Sequence, residues 1–587
     1  MTRQPYAIAI DITEEAPYLV HGNDAGRFGL DATLLRDHAG RPILPGTLVA
    51  GRIVEAWHNL GPALGNADVE EWFGRSQDRR ARIHVDDLVL QGIDGTPWTP
   101  DTETKEVSRI RQNDDTGAVE TGALLIVEQV AAPGAKLVFT GTWRAWADDD
   151  EIRRLLPQLR AALLLQTQLG AYRGVGFGRL KGIDVSANVV NGKPLSLDAG
   201  ALRHRLALRT DRPFCVGSRS RRGNVFESDD ILSGGTLLGA LATLLAARHG
   251  TAGLDGLDTP LARHFSLLRC THALPTQAGG ARPLPLPQSL VSLGHEIKDA
   301  WQHAAPPTNL AQAPAFQTDW KGEDFDKAKL NQGWGGTRRH LRVRTDIDGN
   351  GQAKESSLFA YECVTPAVNE KGETQTEWLF DLDLSAVPED DRAAATQELA
   401  ALLGQGLFPI GKTDAVFNVT VGNAGAVWSE ANLDAIKQGD RIPLLLASDA
   451  LLFATDAVAD QPKPDLKALY AAAFADLAEQ AGCQGALTLG HFFATQRLAG
   501  GDYLWRQFQK TDTYQPWVLT EAGSVFVFEV KEAEAARKVL RHWSVNGLGL
   551  PQAVTPQGGA TWCNLPYLPS NGYGEVAIRP KHGFADL

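Results

Sequence analysis

The sequence has few cysteines and none in close pairs. Only five occur in 587 residues, at positions 215, 270, 363, 483 and 563. Zinc ribbons and disulfide frameworks are therefore not expected. There is also no uninterrupted apolar run of the roughly 20 residues that a membrane span needs. Acidic residues interrupt the N-terminal MTRQPYAIAIDITEEAP, where a signal peptide would be apolar. We expect a cytoplasmic protein with no membrane partner.

Positive charge is scarce overall. The formal net charge is -13, which argues against wholesale electrostatic attraction to nucleic acid. Basic clusters nevertheless stand at 75–82, 109–111, 219–222 and 338–344. Three of the four adjoin glycines or turn residues, where a backbone can approach a phosphate. Solvated surface and phosphate contact both account for any single cluster.

Corresponding elements occur twice in the same order. The segment LPGTLVAGRIVEAW (44–57) is matched by LSGGTLLGALATLLA (232–246), and the pair LLIVEQV and KLVFTGTW by SSLFAYECV and TEWLFDLDL. The order strand, helix, hairpin, helix, strand is that of the βαββαβ unit, whose sheet commonly binds RNA. We predict an α+β protein with tandem ferredoxin-like (RRM-like) domains at 1–195 and 203–587. Large insertions near 275–335 and 440–500 enlarge the second domain.

A lone aspartate, Asp31, lies in the loop before the first helix. Thr47 is a candidate cap for that helix, and apolar residues at its buried-face spacing follow. Asp31 itself is open to two interpretations. Aspartate often stabilises a turn, and a single carboxylate can also position a hydrated metal ion or orient a ribose 2′-hydroxyl.

Two motifs resemble those of a known family. They are D-x-x-x-x-RD-x-x-G-x-P-x-x-PG-[ST]-L-x-x-G-R, from Asp31 to Arg52, and G-x-x-R-G-x-G-F-G-R, from Gly170 to Arg179. Together they are similar to the RAMP superfamily, and residues 1–195 resemble the Cas-seven type backbone subunits of type III CRISPR effector complexes. The segment RIRQNDDTGAVETG resembles that family's thumb hairpin, at about 105–122. Residues 203–582 are similar to the Cas-five type RAMP subunit of subtype III-D complexes.

The resemblance implies a fusion of two RAMP domains that holds CRISPR RNA and cleaves paired target RNA. The implied partners are CRISPR RNA, target RNA and other Cas subunits. By position, Asp31 would be the catalytic residue and would bind a divalent metal ion, Mg²⁺ or Mn²⁺. The predicted RNA-binding residues are Arg36, Arg52, Arg109, Arg111, Arg173, Arg179, Arg219, Arg221, Arg222, Trp334, Arg338, Arg339 and Arg342.

The sequence departs from the family pattern in places. Ala50 stands where a lysine often contacts guide phosphate, and Arg219 occupies the place of Asp31 in the second copy. The second copy is therefore expected to bind RNA without cutting it. Two alternatives stay open: a non-catalytic structural RNA-binding subunit, and a guide-RNA processing endoribonuclease with a histidine base. His21 and His38 flank the Asp31 loop and are candidates for proton transfer.

Overall fold

A computed structural model of the chain describes most of its length. The described residues are 3–21, 29–61, 69–74, 81–99, 102, 104–112, 115–222, 224–293, 296–304, 316–317, 323–347, 353–425, 432–459, 462–507, 514–580 and 583–586. Helices and strands alternate throughout these ranges, so the predicted α+β class is confirmed. Within them, every helix is too short or too polar to cross a membrane.

The first sheet lies within residues 4–189. Its strands run β2-β4-β8-β1-β9, each antiparallel to its neighbours. Alternate residues of the first strand, among them Ile8, Ile10 and Ile12, are buried, which is the period of a strand with one face on a core. In chain order the elements are β1 (Gln4–Glu15), β2 (Ile43–Leu44), α1 (Gly46–Leu60), α2 (Val69–Phe73), β3 (Ile83–His84), β4 (Leu88–Ile93), β5 (Thr96–Pro97), β6 (Lys105–Gln112), β7 (Val119–Gln129), β8 (Lys136–Ala147), α3 (Asp149–Leu164) and β9 (Arg179–Val189).

The second sheet has the strand order β13-β20-β10-β22-β21, with β14 also beside β20. Phe214, Trp378 and Phe417 pack together in its core. The elements in this part of the chain are β10 (Arg203–Thr210), β11 (Gly217–Arg222), β12 (Val225–Ser228), α4 (Gly234–His249), α5 (Pro260–Arg263), β13 (Arg269–Cys270), β14 (Leu274–Gln277), β15 (Leu290–Leu293), β16 (Glu296–Asp299), β17 (Phe316–Gln317), α6 (Glu323–Asn331), β18 (Thr337–Ile347), β19 (Ala353–Pro366), β20 (Thr376–Asp383), α7 (Glu389–Leu403), β21 (Leu407–Ile410) and β22 (Ala415–Val421).

A third sheet follows, with the order β24-β27-β23-β28. Its separate core is rich in aromatic rings, and Phe474 contacts Phe526, Phe528 and Trp543. The elements are β23 (Arg441–Leu446), α8 (Asp456–Ala459), α9 (Leu466–Gln480), β24 (Leu487–Phe493), β25 (Gln496–Ala499), β26 (Trp517–Thr520), β27 (Val525–Val530), α10 (Ala533–Asn546), β28 (Val576–Ile578) and β29 (Ala585–Asp586).

All three sheets are built in one way. Each uses strand, helix, strand, strand, helix, strand in chain order, and each places those four strands as second, third, first, fourth across the sheet. We call these the first unit (4–189), the second unit (203–421) and the third unit (441–578). In every unit a hairpin lies between the second and third of these strands: β6-β7, β18-β19 and β25-β26 respectively.

The third unit differs from the sequence prediction. Residues 440–500 were expected to be an insertion in a domain spanning 203–587, whereas they supply the first half of the third sheet and its core. The other predicted insertion, 275–335, contributes β15, β16 and β17 to a small sheet that β29 joins. The third unit escaped recognition because its first long helix, which Asp465 caps, lacks the glycine motif that begins the matching helices of the other two units.

Helix α1 begins where the chain passes very close to β4. Gly46 donates its backbone N–H to Oδ1 of Asp87 at 3.0 Å. A Cβ atom at Gly46 would lie 2.2 Å from the carbonyl oxygen of Asp86, so only glycine fits there. The helix has no side-chain cap of its own, so the predicted capping role of Thr47 is wrong. The carboxylate of Asp87 takes that role from outside the helix.

Helix α4 of the second unit begins in the same way. Gly234 donates its N–H to Nδ1 of His272 at 3.1 Å, and a Cβ atom there would lie 2.0 Å from the carbonyl oxygen of Cys270. His272 lies between β13 and β14, and Asp87 lies just before β4. Each accepts the first N–H of the helix in its own unit. Burial lowers the pKa of His272 to about 4, so its ring is neutral and Nδ1 is free to accept. Both glycine motifs therefore meet the same requirement: the first residue of the helix must lack a Cβ atom, because the backbone of a distant segment lies against it.

Candidate nucleic-acid interface

Asp31 lies on the surface at the base of the β6-β7 hairpin. Its Oδ2 accepts the backbone N–H of Ile126 at 2.6 Å, and its own N–H donates to the carbonyl oxygen of Ile126 at 2.9 Å. The Asp31 loop is therefore bonded to strand β7. The side chain is exposed. Asp31 thus fixes the loop to the hairpin through an exposed carboxylate.

Arg36 and Glu128 join the same loop to the same hairpin. Their Nη2 and Oε1 atoms are 2.6 Å apart, and Oε2 of Glu128 accepts the N–H of Leu34 at 3.0 Å. Burial acts to raise the pKa of Glu128, but the bonds from Leu34 and Arg36 outweigh it and hold that pKa below its usual range. The ion pair orders the loop, so Arg36 is committed to an internal partner.

The glycine-rich segment 170–179 packs against both of these elements. The guanidinium carbon of Arg109, on β6, lies 5.2 Å from the centre of the Phe177 ring, within the range of a cation–π contact. Tyr172 contacts His21 edge-on, with ring centres 5.5 Å apart. Burial lowers the pKa of His21, which favours the neutral base at neutral pH. Asp31, the hairpin and the glycine-rich segment therefore form one surface, called the first-unit interface below.

Two exposed arginines border this interface. Arg173 and Arg179 flank the glycine-rich turn, and both are exposed at the surface. Arg52, on α1, is instead paired with Glu55 at 2.5 Å. The side chain of Arg111 lies outside the described residues. Arg173 and Arg179 are thus exposed cations at the first-unit interface, where a phosphate can reach them.

The side chains of the 219–222 cluster lie outside the described residues. This applies to the predicted RNA-binding residues Arg219, Arg221 and Arg222, whose backbone forms part of β11. Their predicted role stays a prediction.

The basic residues of the β18-β19 hairpin have partners within the protein. Arg339 pairs with Asp230 at 2.6 Å and with Glu362 at 3.0 Å. Arg338 is exposed and reaches the carbonyl oxygen of Val368 at 3.4 Å. The sequence pattern predicts direct RNA contacts for this basic cluster. The structure shows that Arg339 chiefly stabilises the hairpin.

Arg342 connects the second unit to the first. Its Nη1 lies 3.2 Å from Oδ2 of Asp87. Two residues further along β18, Arg344 donates to the hydroxyl of Thr47 at 3.0 Å. The β18-β19 hairpin is therefore docked on the start of α1. Neither of these two contacts involves Asp31. The predicted contact of Arg342 with RNA would have to replace its ion pair with Asp87.

Trp334 is buried, with 8 % of its surface exposed. Its indole N–H donates to the carbonyl oxygen of Leu284 at 2.9 Å, and Nζ of Lys329 lies 4.8 Å from the ring centre. The predicted stacking of an RNA base on Trp334 does not fit this placement, because the ring is enclosed and one face meets Lys329. Although basic residues follow Trp334 in the sequence, its ring is buried beside β14, where Trp334 bridges to Thr276.

Metal binding at Asp31 is limited by its surroundings. In the described ranges, no three His, Cys, Asp or Glu side chains are grouped so that they could hold a metal ion. Mg²⁺ is often held by one or two carboxylates together with substrate phosphates. The exposed carboxylate of Asp31 fits a metal of that shared kind, and it does not fit a cage made by protein alone.

Comparison with known proteins places the first unit in a family. Residues 12–181 match the model of the RAMP superfamily. This segment is therefore similar to the RAMP superfamily. The match includes β1, the Asp31 loop, α1, the hairpin and the glycine-rich segment, so the predicted RAMP resemblance of the first unit is confirmed. It covers less than half of the chain, and no curated protein matches the sequence.

Two solved structures were found to be similar to parts of the chain. One is a chain of the type III-B Cmr-beta complex bound to cognate target RNA, with 17 % identity, a TM-score of 0.23, and coverage of 31 % of this chain and 61 % of that chain. The other is a chain of the Cmr-beta complex bound to cognate target RNA and AMPPnP in state 1, with 13 % identity, a TM-score of 0.28, and coverage of 55 % and 86 %. Such low values establish neither activity nor partners.

Several structural contributors escaped sequence reasoning. Glu128, Tyr172 and Phe177 hold the first-unit interface together, yet each is an ordinary strand or turn residue in the sequence. The signal for Phe177 was available, because it lies within the glycine-rich motif. Glu128 pairs with a residue 92 positions away, and no local pattern reveals such a partner.

Proposed function

We propose that this protein is an RNA-binding RAMP subunit of a type III CRISPR effector complex, that its units are tandem ferredoxin-like domains, and that Asp31 takes part in target-RNA cleavage. The observation that carries the proposal is the joining of Asp31, the β6-β7 hairpin and the glycine-rich turn within the RAMP match. The order of connections in the three units supports the ferredoxin-like assignment. CRISPR RNA, target RNA and other Cas subunits are the proposed partners.

In this mechanism each residue has a limited task. Arg173 and Arg179 neutralise backbone phosphates, and the hairpin holds the RNA beside the loop. The Ile126 N–H donates to Oδ2 and fixes the orientation of the Asp31 carboxylate, so Oδ1 is the oxygen proposed to meet the RNA. A bound divalent ion, Mg²⁺ or Mn²⁺, would stabilise charge on the reacting phosphate. The geometry of the RNA itself supplies alignment of the 2′-hydroxyl or water for attack.

A non-catalytic subunit is the second candidate. It is favoured by the bond from Ile126 to Asp31, which gives the aspartate a structural task, and by the lone carboxylate at this site. The third alternative is guide-RNA processing, which needs a histidine base. His21, beside Tyr172, and His38 are the two histidine candidates, and burial lowers the pKa of both. His38 lies exposed on the loop after Asp31.

Comparison of Asp31→Asn with Asp31→Ala separates these functions. The asparagine side chain keeps an oxygen that can accept the Ile126 N–H, whereas alanine removes it. We expect both variants to bind guide and target RNA and both to lose cleavage, with a loss of at least 100-fold. If Asp31→Asn cleaves like wild type and only Asp31→Ala is impaired, the residue is structural.

The assay uses the full chain assembled with its complex, a labelled target RNA paired to guide, and added Mg²⁺ or Mn²⁺. A chelator serves as a control, because proposed cleavage stops without a divalent ion. Cleavage that persists in chelator and depends on His21 would support guide processing instead. Absence of RNA binding by wild type would contradict the whole proposal.

A further inference from the structure

A row of aromatic rings lies on one face of the small sheet β11-β12-β19-β18. The ring of Tyr361 contacts Phe226, from the parallel strand β12, at a centre distance of 5.5 Å. It contacts Phe359, two residues earlier on β19, at 5.3 Å. All three rings are only half-buried. Strands that alternate faces place Phe359 and Tyr361 on the same side, so the row is continuous.

Cations lie against this row. Nζ of Lys412 is 4.3 Å from the centre of the Phe226 ring and 6.0 Å from that of Tyr361. The guanidinium carbon of Arg344 is 5.9 Å from the Tyr361 ring. Arg344 pairs in register with Phe359 on the neighbouring strand, so it belongs to the same face. The surface thus alternates aromatic rings with positive charge.

The row is open at one end and closed at the other. The next residue of β19 on this face, Cys363, is fully buried, as is Cys215 nearby. In the other direction the aromatic row ends at Phe359, and the next residue of β19 on this face is Ser357. Arg344 is held at this open end by the hydroxyl of Thr47 in the first unit. The row therefore opens along the seam between the two units.

The acidic groups beside the row are already neutralised. Asp87 is paired with Arg342, at 3.2 Å, and Asp86 with Arg212, at 2.9 Å. Asp414 is half-buried, and burial raises the pKa of its carboxyl. Two of the carboxylates next to the rings are thus paired with arginines, which weakens their repulsion of a polyanion.

We propose that Phe226, Phe359 and Tyr361, with Lys412 and Arg344, form a base-stacking platform for a single-stranded RNA segment at the seam between the first and second units. Aromatic faces stack any base, and adjacent cations contact the backbone, which is how single strands are bound without sequence preference. The proposal rests on the proposed RNA-binding function. It adds a second RNA site, all five of whose residues belong to the second unit, whereas Asp31 belongs to the first.

Leucine substitutions test the platform. Phe359→Leu and Tyr361→Leu keep apolar volume but remove the stacking face. We expect each to weaken binding of a single-stranded oligonucleotide to the full chain by roughly 5- to 100-fold, the range of one lost stack. The matched control is Leu358→Ala, because Leu358 is 61 % exposed and points to the opposite face of β19. It should bind like wild type.

A second readout does not depend on the stability of the variants. Wild-type protein is irradiated with an RNA that contains 5-iodouridine, and crosslinked peptides are mapped. Crosslinks at Phe226, Phe359 or Tyr361 support the platform. Normal binding by both leucine variants, or crosslinks confined to the first-unit interface, overturns it and leaves RNA binding intact. If wild type binds no RNA, the proposed function itself fails, which is a distinguishable result.

Discussion

Asp87 and Arg342 join the first unit to the second while Asp87 also begins helix α1. Oδ1 of Asp87 accepts the N–H of Gly46 at 3.0 Å, and Oδ2 pairs with Arg342 at 3.2 Å. Both side chains of the ion pair are largely buried, so solvent screens it only in part. One carboxylate thus couples the start of a helix to the docking of a hairpin from another unit.

We expect Asp87→Ala to destabilise the start of α1. Loss of a helix cap costs about 1 kcal/mol, so amide hydrogens in the first turn should exchange roughly five times faster. Arg342→Gln leaves the cap in place and should change hydrogen exchange in the β18-β19 hairpin more than in α1. The measurement is hydrogen–deuterium exchange with peptide resolution. The exposed Arg338→Gln serves as control. Equal exchange in wild type and Asp87→Ala would show that the cap is dispensable.

Two glycines in α1 should respond oppositely to alanine. At Gly46 a Cβ atom would meet the carbonyl oxygen of Asp86 at 2.2 Å, so Gly46→Ala should lower the thermal stability of the first unit markedly. At Gly51 no heavy atom lies within 4 Å of the added Cβ. Gly51→Ala should stabilise the helix by about 0.5–1 kcal/mol. Thermal unfolding of both variants gives the test. A stable Gly46→Ala protein would disprove the close contact.

Glu14 should make stability depend on pH. Both of its carboxylate oxygens are buried, with no hydrogen-bond partner in the described part of the chain, and burial raises its pKa to about 8. Since the unfolded value is near 4.5, the folded state holds a proton that the unfolded chain releases. The free energy of unfolding should therefore fall as pH rises from about 4.5 to about 8, by a few kcal/mol at most.

Glu14→Gln removes that titration. Its unfolding free energy should stay nearly constant across the same pH interval and exceed that of wild type at pH 8. The matched control is Glu15→Gln on the opposite face of β1, where Glu15 pairs with Lys181 at 2.6 Å. Denaturation followed at several pH values provides the measurement. A parallel pH dependence of wild type and Glu14→Gln would mean that Glu14 does not titrate in this range.

Arg173 and Arg179 should contribute to the salt dependence of RNA binding. Each neutralised phosphate of a single strand adds about 0.7 to the slope of log affinity against log salt. Arg173→Gln and Arg179→Gln should each reduce that slope by about this amount. Arg154→Gln, on the exposed side of α3, should leave it unchanged. Titrations at several salt concentrations check this, and an unaltered slope in all three variants would remove the glycine-rich turn from the RNA path.

The sequence by itself determined much of the first unit. The Pro45-Gly46 turn and the apolar spacing after it predict helix α1, and the glycine-rich segment with Arg173 and Arg179 marks an exposed turn. Periodicity is sufficient for such features because each depends on neighbours in the chain. The correspondence of the two glycine motifs was also readable, since both encode the same start of a helix.

Only the tertiary structure decided which side chains meet. Asp87 replaces Thr47 as the helix cap, Trp334 is buried, and Arg342 pairs with the first unit. These partners come from distant strands, and local patterns carry no record of them. The row of Phe226, Phe359 and Tyr361 arises because parallel pairing of β12 and β19 brings separate segments side by side. The third unit emerges for the same reason, since its sheet is defined by pairing rather than by a motif.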